Sequence, residues 1–587
     1  MINNFLNFIE RHWFILSCIF IFFVFISSRY FILTTHFTHY DDVFPAYLIK
    51  VISNYELDYF SSQIYKYGSY LPDYLKDQLL LFLSNHPDIF AFIKRLIGGM
   101  SVSLVSTYAP VQFFFTALLV NFNHSYEFSI FSWRLPSFLF SLFAFAAFIK
   151  FSSFFPEKSK IFLLPIGLTF LSTSWMFLIY SSQGANYPAG IFAIFLLLYL
   201  FQRIQQSEIS IRKSIFIGII LSLLSLFHYQ VLFFLPGFYL GYIFSSNISI
   251  FNRIIRILPA GIINILVTIF IYFVMMSHLH GHTPGVFWNA GPNGEYLWSF
   301  NNHESFKDSL SYIFTFFIIN SLKVLYAILG FRENFDSISQ IYAILIFTFC
   351  ILGFIRISHQ KIYRHLFIFI LITIGVWIVL ILNGNLTYSP TRHSLALIPM
   401  IIILFSFGLE YLFSILTNNI KIHLSAIIIF IATLHIGYIT SFWQIYQSRI
   451  DPFQNEVNIL ELIEKYSVNG IAAYGYTNNL LFYPKINNSF ETDWVNKHPF
   501  TNLSTKKDFK KELPSENYFM IICANSDLCG KKENEILALN ELKLKIKSLN
   551  RSHELIYEYS SDSNITNGFS NFAGSGKRRI FIKIFSH

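Results

Sequence analysis

Two adjacent acids, Asp41 and Asp42, stand just beyond the first long apolar run of the chain, Trp13 to Leu33. If that run is a membrane helix, His36-Phe37-Thr38-His39-Tyr40-Asp41-Asp42 emerges at the interface. Carboxylates at headgroup height can meet a lipid-borne partner and a water-borne one, and a carboxylate can take a proton as a bond forms. Successive helical residues diverge by about 100°, so one acid would act while the other orients it, holds a basic side chain or helps bind. Capping of a helix that begins near Val43 is the alternative use of the pair. A second group is His278-Leu279-His280-Gly281-His282. Alternate residues share a face only in a strand, and no Cys or carboxylate sits close in sequence. An interfacial loop is therefore favoured there over a metal site.

The elements that must position these residues follow from composition. The chain has 587 residues, 54% hydrophobic and only 13% charged, which indicates an integral membrane protein rather than a soluble globule. Its formal charge of +9 does not point to nucleic acid, because the basic residues lie in short loops between apolar runs. The 71 Phe and 34 Tyr suit lipid-facing helices and interfacial belts. Arg11 precedes an apolar stretch too long for a usual signal core, with no small-residue cleavage site after it, so the first run is expected to be a retained anchor. Cys18 and Cys350 lie in apolar runs; Cys523 and Cys529 could form a local disulfide if the tail is extracytoplasmic. No second Cys or His pair stands at zinc-ligand spacing.

Thirteen apolar segments are candidates to span: 13–33, 101–122, 133–151, 161–180, 188–203, 213–228, 231–245, 257–277, 309–330, 339–356, 364–382, 393–416 and 421–443. Counting all of them puts the basic loop around Lys361 outside, against the positive-inside bias. Pro110 and Gln112 break 101–122, while Asn320, Ser321 and Lys323 sit in the middle of 309–330, where lipid contact is costly. With those two treated as interfacial or dipping helices, eleven spans remain, and the short basic loops fall inside. The stretches 35–132 and 278–338 and the tail then fall outside. From about 446 to 587 the composition turns towards Lys, Glu, Asn and Ser. Strands are expected at 470–476, 518–522, 553–559 and 579–585, with helices at 455–466 and 534–549: a small α/β domain following a membrane domain of 1–445. Gly574-Ser575-Gly576-Lys577 lacks the spacing of a phosphate loop and precedes a strand. No internal repeat is visible.

Several segments taken in order resemble the multi-spanning GT-C glycosyltransferases, in particular the branch holding protein O-mannosyltransferases and aminoarabinose transferases. Asp41-Asp42 with Ala46-Tyr47 is similar to that family's acidic pair in the first external loop. Tyr108-Ala109-Pro110-Val111-Gln112 is similar to its proline-led juxtamembrane helix, and Arg134-Leu135-Pro136-Ser137 to the opening of its second span. Tyr180-Ser181-Ser182-Gln183-Gly184-Ala185-Asn186-Tyr187 resembles its Tyr-Ser-x-x-Ala-Arg-x-Tyr loop. Tyr388-Ser389-Pro390-Thr391-Arg392-His393, with Pro399 after it, resembles its late Tyr-x-x-x-Arg-His element. The likeness covers roughly 10–445. The chain departs in Asp42 for Glu, in Asn186 for Arg, and in lacking the Glu-Lys-Pro segment, which argues against a lipid A substrate. Related oligosaccharyl transferases bind a metal through an acid of the second outer loop; none stands here, which weighs against metal dependence.

The resemblance implies a helical polytopic GT-C fold of about eleven spans and a sugar donor joined through one phosphate to a polyprenyl chain. It implies Asp41 as general base, with Asp42 beside it. A phosphate leaving group needs fixed positive charge, for which Arg392 comes first, then His393 and Arg134; snorkelling to headgroups is the other use of such arginines. Gln183, Asn186, Tyr187, Tyr47, Tyr108 and Tyr388 are candidates to bind substrate, as are Trp288, Asn289 and Glu295 of the outer stretch 276–300. His228-Tyr229-Gln230, at a short outer turn, could line the lipid groove or face water. The expected activity is hexosyl or pentosyl transfer to an acceptor hydroxyl of a glycan, lipid or protein, at the outer face of a bacterial inner membrane. A transporter or flippase of a lipid-linked sugar is the competing reading, and an envelope polymerase using diphosphate-linked repeats is a third.

Overall fold

The computed structural model describes residues 2–33, 72–106, 109–119, 130–182, 184–206, 209–244, 249–276, 306–330, 337–382, 392–416 and 420–448, the strands of the tail, and runs of one to three residues between them. Asp41, Asp42, Tyr47, Tyr108, Gln183, Trp288, Asn289, Glu295 and Cys529 lie outside the described residues, as do His278–His282 and nearly all of the two helices expected in the tail.

The chain is a polytopic helical membrane protein with a C-terminal sheet. Its helices are α1 (Ile2–Leu33), α2 (Asp73–Asn85), α3 (Pro87–Ser106), α4 (Pro110–Leu119), α5 (Ile130–Ser152), α6 (Glu157–Thr173), α7 (Trp175–Ser181) and α8 (Tyr187–Gln205). They continue as α9 (Ile211–Ser225), α10 (Leu235–Phe244), α11 (Ile250–Phe270), α12 (Phe306–Leu329), α13 (Ser337–His359), α14 (Arg364–Leu382), α15 (Ile398–Leu416) and α16 (Ile420–Ser448). Short 3-10 turns open three of them, at Tyr229–Phe234, Lys361–Tyr363 and Arg392–Leu397. Among the described residues seven helices are long and apolar enough to cross a membrane, or eight with α6 and α7 joined as one bent span. Each of the eleven expected spans coincides with a helix or a joined pair, the 231–245 one with the 3-10 turn and α10 over 229–244. The two doubtful segments are helical too. The first breaks at Pro110 into α3 and α4; the second is α12.

By contacts the chain divides into two compact units. One comprises Met1–Leu33, Ser103–Phe113 and Arg134–Ile445; the other comprises Thr34–Val102, Phe114–Trp133 and Tyr446–His587. Within the first unit, 89% of the most apolar stretch of 392–416 is buried against 22% for 250–273. The former is therefore the central element and the latter a lipid-facing one, with Leu258, Ile262, Ile265 and Leu266 exposed along it.

Glycines bring α15 against α13. A side chain at Gly353 would strike the Leu404 carbonyl, and one at Gly408 would strike the Phe349 carbonyl. Each helix thus needs the other's missing Cβ, a small-residue contact suited to helices that gain no hydrophobic drive from lipid. Within a turn of these glycines Arg356 of α13 donates to Glu410 of α15 at 3.2 Å, and nearby the hydroxyls of Ser159 (α6) and Tyr363 (the 361–363 turn) meet at 3.1 Å.

The α6–α7 span bends by 65° at Ser174. Hydroxyls explain the position: Ser172 and Thr173 both bond back to the Thr169 carbonyl, which loosens a helix. Ser174 then restarts it, its oxygen accepting from Phe177 N–H at 3.1 Å, and Trp175 N–H donates across to the Gly330 carbonyl. The bend strands the last carbonyls of α6, and the fully buried Arg29 of α1 takes them. Its guanidinium donates to Leu171 O at 3.0 Å and Ser172 O at 3.3 Å, and its Nε to Ser181 Oγ at 2.8 Å. It also lies 3.8 Å over the Phe25 ring. A cation at a helix C-terminus is favoured by the helix dipole, so neutral oxygens suffice to hold this one.

In the second unit, five strands form a sheet in the order β2-β1-β3-β5-β4: β1 Gly470–Gly475, β2 Phe500–Asn502, β3 Tyr518–Ala524, β4 Glu554–Ser563 and β5 Arg578–Ser586. β1 runs parallel to β2 and β3, whereas β5 is antiparallel to β3 and β4. The four expected strands are present; β2, three residues long, is an addition. Cys523 lies on β3 opposite Phe581.

Candidate functional site

At one end of the bundle, five elements of the first unit bring polar residues together. The first is the turn Arg392–Leu397. Pro399 has no N–H for the Leu395 carbonyl, so the chain enters α15 through a 3-10 turn, and Arg392 and His393 stand on it half-buried. Gln230, from the 3-10 turn after α9, fixes this turn by donating its Nε2 to the His393 carbonyl at 2.8 Å.

Tyr187 opens α8, with Pro188 following in the first turn, where its missing N–H costs nothing. The Tyr187 ring meets His393 at 6.4 Å, His228 at 5.3 Å and Tyr180 at 4.9 Å between centroids. His228 reaches α8 because residue 190 is glycine: a Cβ there would lie 2.8 Å from the His228 side chain. The Gln230 N–H points to His228 Nδ1 at 3.3 Å, so the ring's proton belongs on Nε2 and the imidazole is neutral in this arrangement.

The loop before Tyr187 is pinned from α4 and α5. Gln112 Nε2 donates to Ser137 Oγ at 2.6 Å, and Ser137 Oγ donates to the Ala185 carbonyl at 2.9 Å. Asn186 occupies the N-cap of α8 without making the cap bond such a residue usually makes. Its Oδ1 is buried and accepts from nothing, and the same holds for Gln230 Oε1.

The remaining predicted residues divide. Arg134 is buried, 1% exposed, with its Nη1 3.5 Å from the Leu33 carbonyl at the end of α1. Tyr388 pairs its hydroxyl with Ser321 at 2.7 Å and its ring with Phe317 at 5.8 Å, which ties it to α12. Arg392, His393, Asn186 and Tyr187 come together; the acids and the residues of 276–300 lie outside the described residues. Among the described residues no three His, Cys, Asp or Glu side chains gather as a metal site. Sequence reasoning left two participants undecided, His228 and Gln230, and did not single out Arg29. For Arg29 a signal existed: an ionisable residue inside an apolar run calls for a partner.

Fold and site together define a multi-spanning helical membrane protein with a polar, aromatic-walled cluster at one end of its spans. No family model matches the chain, and no curated protein matches it. Among solved structures the chain is similar to the apo crystal structure of ArnT from Cupriavidus metallidurans. That likeness spans 98% of both chains, with 10% identity and a TM-score of 0.46.

Proposed function

We propose that the chain is a GT-C glycosyltransferase that moves a sugar from a polyprenyl-phosphate donor to an acceptor hydroxyl at the extracytoplasmic face. The observation that carries this reading is the ring contact between Tyr187 and His393. Two motifs some two hundred residues apart, each resembling a family element, meet at one end of the bundle with Gln230 between their supports.

In the reaction, the acceptor oxygen attacks the anomeric carbon, its proton passes to Asp41, and the bond from that carbon to the phosphate oxygen breaks. One displacement inverts the configuration, and polyprenyl phosphate leaves. Asp42 orients Asp41 or holds the acceptor. Arg392, with a planar fork suited to phosphate oxygens, stabilises the departing charge, supported by His393 and Arg134. Tyr47, Tyr108, Gln183, Asn186, Tyr187 and Tyr388 surround the sugar, and Trp288, Asn289 and Glu295 meet sugar or acceptor. The sugar is a hexose or pentose, and the membrane is a bacterial inner one with the site and tail towards the periplasm. The test is Asp41→Asn: turnover of a polyprenyl-phosphate sugar should fall at least a hundredfold, the scale of general-base catalysis, with expression and melting unchanged. Full turnover in that variant removes the assignment.

One observation favours the transporter reading. Broken spans are common in transporters, and α6–α7 is bent with a buried arginine at the break. Reconstituted protein that moves a labelled lipid-linked sugar across the bilayer without forming a glycosidic bond would establish it instead.

A further inference from the structure

Asn186 Oδ1 and Gln230 Oε1 are two buried carbonyl oxygens with no donor, in side chains 2% and 7% exposed. An unpaired buried acceptor costs about 1–3 kcal/mol, so each of these oxygens calls for a donor. Turning the amide over does not relieve Gln230. Gln230 Nε2 is committed to the His393 carbonyl, which fixes its oxygen on the other side. Asn186 sits where its oxygen would ordinarily cap α8 and does not do so. Both residues flank Tyr187, one as its neighbour in sequence and the other through His393, whose ring meets the Tyr187 ring. His228 adds a neutral imidazole to the same wall.

We infer that this cluster binds a neutral polyhydroxy sugar ring, with Asn186 and Gln230 accepting from its hydroxyls, and that it disfavours a uronic acid. The inference rests on the proposed glycosyl transfer and adds the charge class of the sugar and the role of Gln230. Hydroxyls supply the missing donors. A carboxylate in place of the hydroxymethyl group would bring negative charge to amide oxygens that carry partial negative charge, and would supply no donor there. Sites whose buried polar groups expect a hydroxyl reject ligands that lack it far more strongly than apolar sites do.

The test uses the full chain in lipid nanodiscs and four probes: undecaprenyl phosphate, the same lipid carrying glucose, the same lipid carrying glucuronic acid, and methyl glucoside alone. The glucosyl lipid should bind at least tenfold tighter than the bare lipid and than the glucuronosyl lipid. Asn186→Leu and Gln230→Met should each erase most of that gain, read within each variant as the ratio of glucosyl-lipid to bare-lipid affinity, with the melting midpoint showing that the variants are folded. Asn186→Asp, which keeps an acceptor, should retain the preference against glucuronate. Equal binding of the two glycosyl lipids, or a gain that survives both variants, overturns the inference and leaves the glycosyl-transfer reading standing. If neither bare nor glycosyl lipid binds, but methyl glucoside gives saturation-transfer signals that Asn186→Leu abolishes, the inference holds and the polyprenyl-phosphate reading falls. No binding of any probe overturns both.

Discussion

Arg29 and Arg392 show how one residue type meets two demands. Arg29 is wholly buried, and its donors are spent on main-chain carbonyls and on serine hydroxyls of the chain itself. Its replacement by methionine would strand Leu171 O and Ser172 O, at about 1–3 kcal/mol for each carbonyl left unpaired. Thermal unfolding in detergent should therefore shift down by several degrees, and an unchanged midpoint would mean the bend holds without it. Arg392 stands half-buried on the 3-10 turn Arg392–Leu397, and the proposed function has it hold the donor phosphate. Arg392→Lys keeps the charge and loses the fork, so affinity for undecaprenyl phosphate should drop about tenfold with melting unchanged. Equal affinity would assign that arginine to headgroup anchoring.

The elements that carry these residues were legible to different degrees. Apolar runs located the spans because a bilayer core demands about 20 helical residues, and the positions of β1, β3, β4 and β5 followed from their β-branched and aromatic runs. The break at Ser174 was hidden: Leu171-Ser172-Thr173-Ser174 sits inside a run that reads as one span. Gly353 and Gly408 were equally silent, since a contact between residues 55 positions apart leaves no mark on either segment. Their fit makes a sharp prediction. Gly353→Val would drive a branched side chain into the Leu404 carbonyl, and overpacking of this kind costs about 1–3 kcal/mol or more. The variant should melt lower and give less folded protein, while Gly261→Ala, with open space around it, should leave melting unchanged. Matching losses in both would show that α13 and α15 do not depend on that close approach. Within the site, Asn186, Tyr187 and His393 were legible through the family resemblance. Gln230 was not, because its role comes from a hydrogen bond 163 residues away.

For the molecule as a whole, the proposed topology has eleven crossings, with the loops rich in Lys and Arg, such as 203–213 and 356–364, on the cytoplasmic side and the tail outside. In right-side-out vesicles of a chain made cysteine-free, a Ser563→Cys probe in the tail should react with an impermeant maleimide, and a Ser358→Cys probe only after permeabilisation. Labelling of both from the same side would overturn the eleven-span topology. The central claim is tested most directly by a structure of the full chain with undecaprenyl phosphate retained. The lipid phosphate should lie within hydrogen-bond reach of Arg392, about 2.7–2.9 Å, with Asp41 facing the same cavity. A phosphate bound elsewhere, or Asp41 on the opposite side of the bilayer from Arg392, would contradict the account.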